Sequence, residues 1–321
     1  MAQSGWGVSY AAGAEPIERE SRGSKMSWVG HAVPARTYDR GCSPPRILLT
    51  VRKSVSRNQL FTGLFILALV NGLAARVSQG LDNFDVAAIA AAALGVSAVV
   101  WFACVAALSL VLRKTRDEAV KTVDAFVGFA VLFLVAVPIK ELSWFALAAL
   151  AVYVIWTLQA DSVMRRGALI FLAITVPMCW GPLLLHVFAK PFLWTDALFV
   201  SNLIGTEQTG NLVKFADGSG YFQIFPACSS YHNVSLAFLG WISASQFVER
   251  KWSPMDLVWC LLAALSVVAV NVTRIGLIGL YRDHFETIHG TFGSTIADCV
   301  SLGLILAICL LGVRREIFAR T

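Results

Sequence analysis

Charged side chains are scarce in this chain: Asp, Glu, Lys and Arg make up only 14% of its 321 residues. That excludes a soluble domain of this length, which carries about a quarter of its residues charged. The cysteines lack a pattern. Seven are scattered, at Cys42, Cys104, Cys179, Cys228, Cys260, Cys299 and Cys309, with no CxxC pair and no His–Cys spacing for zinc. No disulfide framework is implied, and most of them read as packing residues in apolar runs. No Walker motif, Rossmann fingerprint or HExxH occurs, so the chain calls for no nucleotide or metal cofactor. A secretory leader is not expected, because the first long apolar run starts late and has no small-residue cleavage pattern nearby. Nor is there an internal repeat of the kind that marks many transporters.

What the chain has instead is apolar length. It is 57% hydrophobic, with a mean hydropathy of +0.68. Uncharged runs of about twenty residues recur, each able to cross a hydrocarbon core. Only helices or closed barrels satisfy the backbone in lipid, and these runs lack the alternation of barrel strands. The expected fold is all-α: a polytopic membrane bundle of about eight transmembrane helices. The spans fall near 60–77, 84–112, 125–139, 142–158, 168–190, 226–248, 255–281 and 294–313. Residues 1–58 are polar and Gly/Ser/Arg-rich and read as a mostly disordered tail. The transmembrane domain covers 59–313, and 314–321 form a basic C-terminus.

Basic residues alternate between the ends of these spans. Arg52, Lys53 and Arg57 precede the first; Arg113, Lys114, Arg116 and Lys121 follow the second. Arg165 and Arg166, Arg250 and Lys251, and Arg314 and Arg315 continue the series, while the opposite loops are poorer in Lys and Arg. The positive-inside rule then makes both termini cytoplasmic. The net charge of +6 reflects this bias rather than nucleic-acid binding.

The one sizeable outer loop is 191–225. Two short alternations around Asp217-Gly218 predict a hairpin before the Cys228 helix. Its aromatic tips suit the headgroup level; the sharper reading is a lid beside Cys228.

Three residues carry the chemistry. Cys228 follows Pro226 at the start of the sixth span. A proline is tolerated in the first helical turn, and the positive end of the helix dipole there favours a thiolate. The bland alternative is a packed thiol. Arg274 lies inside the seventh span, three residues after Asn271 and on the same helical face. An intramembrane arginine usually faces protein or a wet cavity; the alternative is snorkelling to the headgroups. His289 precedes the eighth span, with His284 and His232 as rival bases. His232 is one turn beyond Cys228. The topology delivers Cys228, Arg274 and His289 from three spans to one membrane face.

In this order, Ala227-Cys228-Ser229, Asn271-Val272-Thr273-Arg274 and His289-Gly290 resemble the motifs of the exosortase/archaeosortase family of membrane transpeptidases. The likeness covers about 165–313, and the eight-span topology extends it to about residue 60. Where that family has glycine after Cys-Ser, this chain has Ser230, and Tyr231-His232-Asn233 replaces Leu-Arg-Ser. The resemblance implies a cysteine peptidase/transpeptidase in a prokaryotic cytoplasmic membrane, its site facing outward. Its partners would be secreted proteins ending in a short motif, a transmembrane helix and a basic tail, and a lipid or glycan acceptor. Cys228 would be the nucleophile, His289 the acid and base, and Arg274 the oxyanion partner, with Ser229, His232 and Asn271 in support. Three other readings fit the residues. One is a transporter lined by Asn271, Arg274 and Asp298. Another is an intramembrane serine hydrolase using Ser229 or Ser230 with His232 or His289. The third is a non-catalytic assembly protein.

Overall fold

A computed structural model describes residues 55–82, 96–113 and 118–318. Nearly all of the expected N-terminal tail, with Cys42, Arg52 and Lys53, lies outside the described residues. So do the first half of the second expected span and Lys114 and Arg116.

The described chain is mostly helical. In order come α1 (Arg57–Asp82), α2 (Ala98–Val111), α3 (Thr122–Ala136), α4 (Lys140–Thr157) and α5 (Val163–Thr175). A π turn, Val176–Trp180, joins α5 to α6 (Gly181–Val187), and α7 (Ala189–Ile204) follows. After three short strands come α8 (Ser230–Phe247), α9 (Pro254–Leu280), α10 (Phe285–His289) and α11 (Thr291–Phe318). The π turn falls at Pro177, whose missing N–H breaks the ordinary ladder. Three helical stretches are long and apolar enough to cross a membrane: Val163–Val187, Pro254–Leu280 and Thr291–Phe318. Shorter apolar helices occupy Ala98–Val111, Thr122–Ala136 and Glu141–Thr157.

α8 explains how an interior helix can be less apolar. It packs against α2, α5, α9 and α11, so most of its surface meets protein. Ser235, Ser243 and Ser245 are buried on it. The Ser235 and Ser245 hydroxyls donate back to the carbonyls of His232 and Ile242, which satisfies them inside the bundle.

The main core lies among α1, α2, α4, α5 and α8, with Phe65 stacked on Phe171 at 4.6 Å between centroids. Arg57, Asp124 and Tyr153 tie α1, α3 and α4 together. Asp124 accepts from Arg57 Nε at 3.0 Å and from the Tyr153 hydroxyl at 2.7 Å. Elsewhere Arg250 gathers α9 and α11: its guanidinium lies 2.9 Å from Asp256 and 3.1 Å from Glu316. Ser253 and Asp256 form a capping box around Pro254 at the first turn of α9.

The segment 191–225 is where expectation and structure part. It was expected to be loop, yet α7 fills its first part. Leu193, Asp196, Ala197 and Val200 form the buried stripe of α7, a helical period hidden among aromatics. Gly205, at φ +69°, caps it in the left-handed conformation. The hairpin is there. β2 (Leu212–Lys214) pairs antiparallel with β3 (Tyr221–Gln223), and β1 (Gln208–Thr209) adds a third strand on β2. Asp217 Oδ1 accepts from the Ser219 N–H at 2.8 Å to close the turn. Val213 and Ile224 turn inward onto Leu193, Ala197 and Val200 of α7 and Val272 and Ile275 of α9, forming a second small core.

Candidate active site

Connectivity sets the ends. α8 and α9 are consecutive, packed against each other and joined by a short turn, so the start of α8 and the end of α9 share one end of the bundle. α10 then returns the chain into α11, which packs on α9. Cys228, Arg274 and His289 therefore all fall at one end, as their order in the chain predicted.

Cys228 is not inside the helix. Pro226–Cys228 form one 3-10 turn, Ser229 is the N-cap, and α8 starts at Ser230. The expected placement in the first α-helical turn is thus corrected by one short turn. The reason is that the Ser229 hydroxyl accepts from the Tyr231 N–H at 3.3 Å, and a serine cap outcompetes continuation of the helix through residue 229. Cys228 is half-buried and packs against the small core beneath the hairpin.

Two clamps hold this turn. From α9, Asn271 Nδ2 donates to the Cys228 carbonyl at 2.8 Å and to Ser230 Oγ at 3.0 Å. The same amide accepts, through Oδ1, from Arg274 Nη2 at 3.4 Å. From α7, Asp196 Oδ2 accepts from the Ser229 hydroxyl at 2.7 Å and from the Ser230 N–H at 3.2 Å. Asp196, Ser229, Ser230 and Asn271 are all at least 95% buried. Ser230, which stands where the resembled family has glycine, uses its hydroxyl in this lattice. Phe192 and Tyr231 add a ring contact at 4.4 Å. Burial pushes the Asp196 carboxyl above its ordinary range, and the hydrogen bonds from Ser229 and Ser230 oppose that shift.

The four backbone N–H groups from Cys228 to Tyr231 are engaged. Cys228 N–H goes to the Phe225 carbonyl at 2.9 Å and Ser229 N–H to that of Pro226 at 3.2 Å. Ser230 and Tyr231 N–H groups go to Asp196 and Ser229. A helix start is ordinarily a ready anion site; this one is already used. Arg274 differs: its Nε is buried and makes no hydrogen bond. The guanidinium borders a cavity of about 530 Å³ between α9, α10 and α11, walled by Ala269, Thr273, Phe292, Ile296 and Val300.

His289 ends α10, exposed, its ring stacked on Phe285 at 4.9 Å. Among the described residues it makes no hydrogen bond to Cys228, Asn271 or Arg274. His232 lies in the first turn of α8 and borders a second cavity, of about 520 Å³, with His186, Pro226 and Ala227. Asp298 of α11 lies within electrostatic range of both Arg274 and His232. No cluster of three potential metal ligands occurs among the described residues.

The structure thus brings Cys228, Ser229, Asn271 and Arg274 into one connected network. His289 and His232 are both exposed. Sequence reasoning missed Asp196. The signal was present, since Asp196 lies on the same helical face as Leu193 and Val200, but the segment was read as loop.

Comparison with protein-family models, with characterised proteins and with solved structures found no match.

Proposed function

We propose that this protein is a membrane cysteine transpeptidase of the exosortase/archaeosortase kind. It spans the membrane about eight times with both termini in the cytoplasm. It cuts the C-terminal sorting tail of secreted proteins on the outer face of a prokaryotic cytoplasmic membrane.

The observation that carries this reading is the disposition of donors around Cys228. The four backbone N–H groups from Cys228 to Tyr231 are occupied. A single side-chain amide, that of Asn271, separates the Cys228 carbonyl from a guanidinium whose buried Nε–H makes no hydrogen bond. An oxyanion formed at the thiol then has the always-charged Arg274 fork as its available partner.

The steps follow. The Cys228 thiolate attacks the scissile carbonyl, and the tetrahedral oxyanion rests against Arg274. The C–N bond breaks, His289 gives its proton to the leaving amine, and a thioester remains. A lipid or glycan nucleophile loses its proton to His289 and attacks the thioester, and the thiolate departs. His289, exposed at the end of α10, comes within reach of the leaving amine on substrate binding, since catalytic contacts are often long before the substrate arrives.

The serine alternative fares worse on the same geometry. The Ser229 hydroxyl donates to Asp196 and accepts from Tyr231 N–H, and Ser230 Oγ accepts from Asn271; both are occupied as structural groups. The deciding experiment expresses Cys228→Ala and Ser229→Ala with a tailed substrate. Uncleaved substrate should accumulate fully with Cys228→Ala, whereas Ser229→Ala, which loses the cap but keeps the thiol, should cleave slowly rather than not at all. Normal processing by Cys228→Ala ends the transpeptidase reading and favours a transporter or assembly role.

A further inference from the structure

We infer that Asp196 is a positioning residue for the thiol: from α7 it clamps the turn that bears Cys228, as Asn271 does from α9. This deepens the proposal above and rests on its reading of Cys228 as the nucleophile.

The geometry is specific. Asp196 lies mid-way along α7 and is 5% exposed. It forms no ion pair among the described residues, and its bonds run only to Ser229 and Ser230. A buried carboxylate with no cation is unfavourable unless donors compensate it. Here the compensation is the start of α8, whose dipole is positive at that end. The carboxylate also orders the cap. The Ser229 proton is committed to Asp196, which leaves an oxygen lone pair facing the Tyr231 N–H. That sets the point where α8 begins, hence the direction in which the preceding residue, Cys228, leaves the helix. Asn271 fixes the carbonyl of the same residue. Either clamp alone permits the turn to pivot about the other.

Positioning predicts a loss in turnover without a loss in substrate binding, because a misplacement of about 1 Å costs on the order of 100-fold in rate. The test uses the full-length protein in proteoliposomes, with Asp196→Ala and Asp196→Asn. Cleavage of a tailed peptide yields kcat and KM; maleimide alkylation mapped by mass spectrometry yields the intrinsic reactivity of Cys228. For Asp196→Ala, kcat should fall about 100-fold with KM within about twofold, and the Cys228 alkylation rate should change at least about threefold. Both donors meet Oδ2, so Asp196→Asn can keep both bonds on its amide oxygen and loses only the charge that strengthens them. It should lie between the two, about tenfold below wild type. If Asp196→Ala does not fold, Asp196→Asn carries the test alone.

Wild-type kcat and wild-type Cys228 alkylation in folded Asp196 variants overturn the inference. So does a loss that merely tracks folded yield and is equal for Asn and Ala. The two proposals fail separately. Full cleavage by Cys228→Ala removes the nucleophile reading, whereas inactive Cys228→Ala beside fully active Asp196→Ala removes only the positioning role.

Discussion

Asn271 donates from Nδ2 to the Cys228 carbonyl at 2.8 Å while accepting from Arg274 Nη2 at 3.4 Å. One amide thus orients two groups on different elements, because its NH2 donates to one while its oxygen accepts from the other. Asn271→Asp keeps the acceptor and loses the donor. It leaves the buried Ser230 hydroxyl and the Cys228 carbonyl without that partner, at about 1–3 kcal/mol. Thermal unfolding in detergent should show the destabilisation, and tail cleavage should fall in parallel. Asn271→Asp with wild-type stability and rate would show that the bridge is dispensable.

Arg274→Lys retains the charge and discards the planar fork. If the guanidinium meets the oxyanion, kcat should drop about 100- to 1,000-fold, with the protein still folded, because among the described residues Arg274 makes one long hydrogen bond at rest. Single-turnover cleavage measures this; wild-type rates in Arg274→Lys remove the oxyanion role.

Gly293 marks a close approach. A Cβ there would run into the Ile288 carbonyl, one residue before His289. Gly293→Ala should therefore displace α10 against α11 and shift the imidazole. Turnover should fall about tenfold or more, while the unfolding temperature of the distant core moves little. Unchanged kinetics in Gly293→Ala would mean that His289 is not held by this turn.

Arg57 and Asp124 pair where both side chains are almost fully inaccessible. Removing Asp124 leaves the buried Arg57 with Thr157 and the more exposed Glu118, so Asp124→Ala should cost about 3 kcal/mol. This far network has no link to Cys228, so the surviving folded protein should cleave normally. A double-mutant cycle with Arg57→Met should return part of the loss.

Asp196 gives stability a pH signature. Its carboxyl titrates above the unfolded value of about 4, because burial outweighs the hydrogen bonds from Ser229 and Ser230. The folded state then binds its proton more tightly than the unfolded state. Its contribution to stability is fully present below about pH 4 and is lost as pH rises through the folded value. Asp196→Asn should remove this component, which pH-dependent thermal unfolding reads directly.

The three long apolar helices, Val163–Val187, Pro254–Leu280 and Thr291–Phe318, were legible because a hydrocarbon core asks for apolar length whatever the neighbours. Where protein packing sets the element the signal fades: α7, short and aromatic, is defined by what packs on it. Arg250 shows the same limit. By sequence it counts as one of the charges that follow the sixth span; in the fold it is paired with Asp256 and Glu316.

The order of Cys228, Asn271, Arg274 and His289 along the chain sufficed to send them to one end of the bundle, since each antiparallel turn of a membrane helix reverses direction. Which of them touch was decided only by tertiary packing. The Cys228 turn stands ahead of its helix because a serine hydroxyl and a carboxylate from α7 compete successfully for the first N–H groups of α8. That competitor lies 33 residues from Ser229, and no local propensity encodes a bond across that separation.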